Sequence, residues 1–276
     1  MEVAKLGLEA KPGTLPEMMA KVSARLAGAP DLVRFPIEPR DWSAELGALP
    51  PTLQKGRSRV LADRPAAQGV RHWMPRGMRA LLGAAQHELL IANAYIIPDP
   101  DMIDLLRELT AKGVKVRILT NSLATTDVPA VNAHYKLWRR NLIEAGVELH
   151  EARPDAAVKA SVADTPPVVS AAMGLHAKTA VVDRERLFVG SMNLDPRSAE
   201  VNSEMGVVVD GPALAQIAAA ALDEAMKPEN SWRVDIAPSG NVRWVAGADV
   251  RYMQPARGLW ERIQDVVYMV FPRQLY

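Results

Sequence analysis

Short apolar runs alternate with helical patterns along the middle of this 276-residue chain, and this alternation constrains the fold more than any other feature. The runs "ELLIANAYII" (88–97), "VKVRILT" (114–120) and "VELHEA" (147–152) have the length and composition of buried strands. Between them, "DPDMIDLLRELTAKG" (99–113) and "VPAVNAHYKLWRRNLIEAG" (128–146) have helical periodicity, and each ends at a glycine. The alternation predicts an α/β fold with a mixed, largely parallel β-sheet flanked by helices.

The composition divides the chain into three parts. Residues 1–70 are rich in proline and predict an irregular lead-in, with one amphipathic helix over residues 15–28. Residues 71–235 hold the α/β domain, in which the long segment 153–173 is either a lid over a site or a surface loop. Residues 236–276 predict a C-terminal hairpin that turns at residues 239–241, followed by an amphipathic helix.

Composition also excludes several classes of protein. The chain has no cysteine, which rules out disulfides, thiol nucleophiles, zinc ribbons and iron–sulfur clusters. Its net charge of +1 gives no basic footprint, so we do not expect nucleic acid as a partner. The N-terminus lacks the apolar core of a signal peptide, and no apolar run is long enough to span a membrane. We therefore expect a cytoplasmic or membrane-surface protein.

The stretch "GLHAKTAVVDRERLFVGSMNLDPRS" (174–198) carries polar residues that a simple hairpin does not need. Strand side chains alternate between faces, so His176 and Lys178 point the same way, as do Ser191 and Asn193. An antiparallel hairpin turning at Arg184-Glu185 would set Lys178 opposite Ser191 and His176 opposite Asn193. The four polar groups are then expected to converge on one spot.

This set of side chains suits a phosphoryl group. A neutral imidazole is a nucleophile or a general acid/base near pH 7, while the lysine, amide and hydroxyl form an anion clamp. Glu204, at the start of the next strand, can orient His176 by accepting from its second ring nitrogen. Asp183 lies at an odd offset from His176, where it pairs with Arg186 at the turn, and we expect a structural role for it. Gly190 allows close approach of backbone or ligand.

The pattern His176-x-Lys178-x4-Asp183, followed by Gly190-Ser191-x-Asn193, resembles the HKD signature of the phospholipase D superfamily. Four flanking stretches are similar to bacterial phospholipase D-like and cardiolipin synthase proteins: "NLDPRSAEVNSEMGVVVD", "LLIANAYIIP", "GVKVRILTNS" and "LIEAGVELHEARPD". The first of them resembles the sequence that follows the second HKD motif. The resemblance covers about residues 60–275, points to the C-terminal half of such a protein, and implies a phospholipase D-like fold.

The resemblance also implies a mechanism. Two HKD motifs face each other across a pseudo-twofold axis, where one histidine attacks phosphorus and the other protonates the leaving alcohol. Water or a second alcohol, such as the glycerol head group of phosphatidylglycerol, then takes the phosphatidyl group, with no metal or other cofactor. Carried over to this chain, His176 is the nucleophile or acid/base, Glu204 supports it, and Lys178, Ser191 and Asn193 hold the phosphate.

This chain has one such motif where the family pattern needs two. The His134-x-Lys136 pair imitates the motif, but its helical spacing turns the two side chains apart. Three origins remain open: the C-terminal half of a longer enzyme, a protein whose site forms across a homodimer axis, or a degenerate half without turnover. Activity then requires a second half.

Three functions remain open from the sequence. The first is a phosphatidyltransferase or phospholipase of cardiolipin synthase type, with a phospholipid substrate and a peripheral location at the inner membrane surface. The second is a nuclease of the same superfamily, and the third is an inactive lipid-binding half. The C-terminal segment 258–276 is either docked on the core or an interfacial helix that touches lipid.

Overall fold

A computed structural model describes residues 14–28, 43–66, 69–71, 73–164 and 173–272 of the chain. The chain divides into two compact units, Met1–Leu53 and Gln54–Tyr276. In the first unit, helix α1 (Thr14–Ala27) confirms the predicted amphipathic helix, and α2 (Ser43–Ala48) leads into a 3₁₀ turn (Pro50–Thr52). The centre of the suggested lid, residues 165–172, lies outside the described residues.

The second unit carries the strands and the remaining helices. Its strands are β1 (Arg57–Ala62), β2 (Arg64–Ala66), β3 (Gly69–Arg71), β4 (Glu88–Asn93), β5 (Lys115–Asn121), β6 (Glu148–Ala152), β7 (Lys178–Val182), β8 (Arg186–Gly190), β9 (Met205–Asp210), β10 (Ser231–Ile236), β11 (Val242–Ala246) and β12 (Asp249–Arg251). Its helices are α3 (Met74–Gly83), α4 (Pro100–Ala111), α5 (Pro129–Tyr135), α6 (Arg139–Glu144), α7 (Lys159–Val162), α8 (Pro196–Glu200), α9 (Pro212–Ala225), α10 (Leu259–Val267) and a final 3₁₀ turn (Tyr268–Val270).

Ten of these strands form one mixed sheet in the order β1-β9-β8-β7-β4-β5-β6-β10-β11-β12. The central strands β4, β5 and β6 are parallel, because α4 and the α5–α6 pair carry the chain back between them. The outer strands pair antiparallel on both sides. This confirms a mixed sheet flanked by helices, with its parallel part confined to three strands.

Helices cover both faces of the central strands, which explains why β4 reads as a continuous apolar run. On one face, α3, α4 and α6 pack their buried side chains against Ile91, Ile118 and Phe188. On the other face, α9 covers Leu90 and Val181. The sheet therefore has a rigid centre whose strand ends can hold side chains in fixed positions.

Outside the candidate site, the structure differs from the sequence-based expectation at two places. Strand β1 lies inside the segment 1–70 that suggested an irregular lead-in, and it pairs with β9. The single helix expected over 128–146 is two helices, because the chain tightens to i→i−3 hydrogen bonds at Leu137 and Trp138. The C-terminal hairpin is confirmed, with Gly240 at positive φ in the turn between β10 and β11. Within the described ranges, no helix has both the length and the apolar character needed to cross a bilayer.

Candidate active site

The polar residues from the sequence meet at one edge of the sheet. Strand β4 ends there at Asn93, which pairs with Lys178 at the start of the antiparallel strand β7. Strand β8 also ends there, and the N–H of Ser191 donates to the carbonyl of Met205 at the start of β9, at 2.8 Å. The structure brings together His176, Lys178, Ser191, Asn193 and Glu204 at this edge.

The predicted register of the hairpin is wrong by one residue. Strand β7 pairs Val182 with Arg186, and this register places Lys178 level with Gly190 instead of Ser191. The reason is the turn: Asp183 and Arg184 both have positive φ, and the N–H of Glu185 donates to the carbonyl of Val182 at 3.1 Å. Glu185 is thus an extra residue on one side of the hairpin.

Asp183 lies at the opposite edge, away from these polar groups. Its carboxylate accepts the backbone N–H groups of Gln86, His87 and Glu88 at 3.0, 2.7 and 2.9 Å. Burial works against its ionisation, but these donors outweigh it and hold the pKa of Asp183 below its ordinary value. The contacts tie the β7–β8 turn to the start of β4.

His176 is exposed, with its imidazole edge-on to the ring of Tyr95 at 6.4 Å between centroids and an interplanar angle of 82°. In the part of the chain that the structure describes, its ring nitrogens have no hydrogen-bond partner. The side chain is open to a ligand and has hydrogen-bonding capacity to spare. The imidazole can therefore act as a nucleophile or as an acid/base.

Lys178 is buried, with 8% of its surface exposed. Its ammonium group donates to the carbonyl of His176 at 3.0 Å and lies 5.7 Å from the ring centroid of Tyr95. Among the described residues, no carboxylate lies within ion-pair distance of it, and burial lowers the pKa of Lys178. Asp127, Glu204 and Asp195 attract the ammonium group at longer range, but none of them pairs with it, so it can still bind an anion.

Asn193 follows β8 in a loop held by backbone contacts, including its own N–H to the hydroxyl of Ser198 at 3.3 Å. Its side-chain Oδ1 is buried without a hydrogen-bond partner among the described residues. Buried amide oxygens are normally paired, so this side chain has hydrogen-bonding capacity that the fold does not use.

Ser191 and Glu204 contact each other. The Ser191 hydroxyl donates to the Glu204 carboxylate and accepts the N–H of Met205 at 3.1 Å. The other Glu204 oxygen accepts from Asn202 at 3.0 Å, and the Glu204 N–H donates to Asp63 at 3.0 Å. The structure places the Glu204 carboxylate on Ser191, not on His176, because these contacts fix the chain where β9 begins.

Gly190 is required by packing. A Cβ at this position would lie 2.6 Å from the ring of Phe188 and 2.7 Å from the carbonyl of Met205. The sequence suggested that Gly190 lets backbone or a ligand come close. In the structure it is backbone that comes close, because β8 and β9 approach each other here and the neighbouring Gly206 is equally crowded.

Sequence reasoning missed the residues at the ends of β4 and β5. The Tyr95 hydroxyl donates to Asp127 at 2.7 Å, and burial, together with this carboxylate, raises the pKa of Tyr95. Asn93 accepts the N–H of Leu194 at 3.3 Å and joins β4 to the loop of Asn193. The signal was the appearance of polar residues where two apolar strands end, in "NAY" and "TNS".

Comparison with known proteins matches residues 78–226, more than half of the chain, to the family described as "Cardiolipin synthase, PLD-like domain". Cardiolipin synthase C of Escherichia coli K12 is 32% identical over 234 residues, which are 82% of this chain and 49% of that protein. Cardiolipin synthase B of the same strain is 27% identical over 237 residues, 79% of this chain and 52% of that protein. The chain thus spans about half the length of the curated relatives it matches.

Among solved structures, Nuc from Salmonella typhimurium, titled a phospholipase D family member, has 16% identity and a TM-score of 0.46 over 65% of this chain and 99% of that chain. Phosphatidylserine synthase of Haemophilus influenzae has 18% identity and a TM-score of 0.44 over 60% of this chain and 37% of that chain. These likenesses are too distant to carry an argument. The residues matched by the family model include strands β4 to β9 and the segments that carry His176, Lys178 and Asn193. The chain therefore belongs to the cardiolipin synthase, PLD-like family.

Proposed function

We propose that this chain supplies one half of a phosphatidyltransferase or phospholipase that acts on phospholipid head groups. The observation that carries the proposal is the accessible imidazole of His176 beside the buried, unpaired ammonium group of Lys178. An anion drawn to Lys178 lies next to a nucleophile, which is the arrangement a phosphodiester requires. The cardiolipin synthases that the chain resembles favour a phospholipid as that phosphodiester.

The proposed reaction has two steps. A nitrogen of His176 bonds to phosphorus as the P–O bond to the leaving alcohol breaks, and that alcohol takes a proton from a second histidine. Water or another alcohol then attacks the phosphohistidine, gives up its proton to the second histidine, and frees His176. Lys178 and Asn193 stabilise the charge on the phosphoryl oxygens, while Ser191 and Glu204 hold the start of β9 beside them.

The second histidine must come from outside the site described above. Among the other histidines that the structure describes, His87 lies at the opposite edge and His134 lies in helix α5, where Lys136 pairs with Asp265. His150 of β6 contacts Ser231 and Glu148, so none of the three repeats the arrangement around His176. A second copy related by a twofold axis, or a companion half, would supply the missing imidazole.

The C-terminal helix supports a location at a membrane surface. Helix α10 turns its polar side inward, where the Asp265 carboxylate accepts from Asn132 and Lys136 at 2.6 and 2.5 Å. Its apolar side faces outward, with Trp260 68% and Val270 of the following 3₁₀ turn 81% exposed. An outward apolar face with an aromatic residue is typical of helices that lie in a lipid interface.

The test is to incubate the purified chain with phosphatidylglycerol, identify the products by mass spectrometry, and measure its size at several concentrations. We expect cardiolipin with free glycerol, or phosphatidic acid with free glycerol, from samples that contain dimers or a companion half. His176→Ala should abolish this turnover. His87→Ala, a change at an exposed histidine of the opposite edge, is the matched control and should leave turnover intact.

Two results would contradict the proposal. Turnover that survives His176→Ala unchanged would remove His176 from the chemistry. Cleavage of oligonucleotides with no turnover of any phospholipid would show that the same site belongs to a nuclease.

A further inference from the structure

An apolar cleft lies beside the candidate site. Its walls come from helix α3, from the chain between β4 and α4, and from the loop and short helix α8 that follow β8. The side chains that form its interior are mostly aliphatic or methionine: Met78, Ile97, Met102, Met192 and Leu194. Ala199 of α8 also lines the cleft and is partly buried.

The cleft is joined to the phosphate-binding residues. Met192 and Leu194 are the chain neighbours of Asn193 on either side, and the N–H of Ile97 donates to the carbonyl of Leu194 at 2.7 Å. Met78 and Leu194 also border a small internal gap reached by Lys178. One layer of side chains therefore separates the cleft from the ammonium group that attracts the anion.

The lining indicates which ligand the cleft suits. As far as the described residues define it, no aromatic side chain lines the cleft, so it offers no surface on which a nucleobase could stack. Methionine side chains are flexible and polarisable, and they adapt to apolar ligands of variable shape. The cleft also has charged lining residues: Arg79 pairs with Asp99 at 3.4 Å and with the neighbouring Asp101 at 3.5 Å, and the buried Asp195 accepts the N–H of Ser198 at 2.7 Å.

We infer that the cleft binds an acyl chain of the lipid substrate while Lys178 and Asn193 hold its phosphate. The inference rests on the proposed function and adds the part of the substrate that lies beyond the head group. A largely apolar cleft with a few polar groups is the usual form of a small-molecule site, and its apolar side chains suit the apolar part of a lipid. It gives the site a means to prefer a lipid over another phosphodiester.

The experiment labels the methionine methyl groups and the histidine rings with ¹³C. The twelve methionines of the chain report separately on the cleft and on other surfaces, and the ring of His176 reports on the head-group site. The probe is dihexanoylphosphatidylglycerol below its critical micelle concentration, compared with its deacylated head group, glycerophosphoglycerol, and with a dinucleotide. We expect the lipid to shift the methyl signals of Met78, Met102 and Met192, while the other two compounds leave them unchanged. Met253 and Met269, both exposed, report binding at the outer C-terminal surface instead.

A matched pair of variants adds a measure of affinity. Ala199→Leu adds bulk to the cleft at a partly buried position that packs on the core, so its Tm is measured together with its lipid affinity. Ala220→Leu makes the same change at an exposed position of α9. Excluding about two methylene groups of the acyl chain should weaken lipid binding about tenfold in Ala199→Leu, equivalent to about 1.4 kcal/mol. Ala220→Leu should bind like the unmodified chain.

The outcomes separate this inference from the proposed function. Suppose that the lipid and the deacylated head group both shift the His176 ring signals, and that the three methionines of the cleft do not change. This result would overturn the cleft assignment and leave the proposed function standing. Shifts confined to Met253 and Met269, or equal shifts with the dinucleotide, would also overturn it. A lipid that shifts no signal of His176 would count against the proposed function itself.

Discussion

Replacing Lys178 with methionine should make the protein more stable, although it removes a residue of the candidate site. The Lys178 ammonium group has one described hydrogen bond, to the carbonyl of His176 at 3.0 Å, and a contact with the ring of Tyr95 at 5.7 Å. Burial lowers the pKa of Lys178, and no carboxylate of the described residues pairs with it. The folded state therefore carries a charge that its surroundings disfavour.

The size of the effect follows from these contacts. A buried ion without an ion pair costs several kcal/mol. The hydrogen bond and the ring contact offset about 1 kcal/mol each, and the longer-range attraction of Asp127, Glu204 and Asp195 offsets a further part, but burial remains the largest effect. Methionine keeps the apolar stem and loses the charge, so we expect the free energy of unfolding to rise by about 1–2 kcal/mol. For a domain of this size the corresponding rise in Tm is about 2–8 °C.

The assay is thermal and guanidinium unfolding at pH 7, followed by circular dichroism. Lys136→Met is the matched control, because the Lys136 ammonium group pairs with the buried Asp265 at 2.5 Å, and its loss should destabilise the protein by about 2 kcal/mol. Tungstate, a phosphate analogue, should raise the Tm of the unmodified chain but not that of Lys178→Met. A Lys178→Met variant that unfolds more easily than the unmodified chain would refute the reasoning.

Three further predictions concern the scaffold of the site. Asp183→Ala should lower the free energy of unfolding by about 2 kcal/mol at pH 7, because three N–H groups lose their acceptor. Since the folded pKa of Asp183 is lowered, its stabilisation is present above about pH 4 and is lost as the pH falls through the folded pKa, so unfolding curves of the two proteins should converge in acid. Tyr95→Phe removes the hydrogen bond to Asp127 and should lower phosphatidylglycerol turnover about tenfold with little change in Tm; unchanged turnover would exclude Tyr95 from the site. Gly190→Ala should lower the free energy of unfolding by about 2–3 kcal/mol in denaturant unfolding, because its Cβ would meet three atoms at under 3 Å. Gly47→Ala, in helix α2 and with no atom within 4 Å, is the control and should not lower it.

The centre of the fold was predictable because its signals are local. Strand β4 is buried on both faces and reads as a continuous apolar run, and α4 has an acidic first turn with Asp99 as its N-cap. The antiparallel outer strands were harder, because β1 is half-exposed and is defined by its pairing with β9. A short edge strand carries little apolar pattern, so its place depends on tertiary contacts that sequence periodicity does not contain.

The register of the β7–β8 hairpin shows the same limit. Local turn preferences do not favour positive φ at Asp183 and Arg184, yet both residues adopt it. The carboxylate of Asp183 binds three N–H groups of the chain 86–88, nearly a hundred residues earlier, and this contact selects the turn. Strand alternation therefore predicted which residues share the edge of the sheet, but not which of them lie opposite each other.

Hydrogen-bond partners divide the polar residues of this edge into two groups. Asn93 and Glu204 direct their side chains into contacts that hold loops to strands. In the described ranges, three polar groups have no side-chain partner: the imidazole of His176, the ammonium group of Lys178 and the amide oxygen of Asn193. A fold gains nothing from leaving such groups unpaired, so the second group is the one that a ligand would complete. Residue type and spacing alone cannot make this distinction, because a hydroxyl or amide suits both roles.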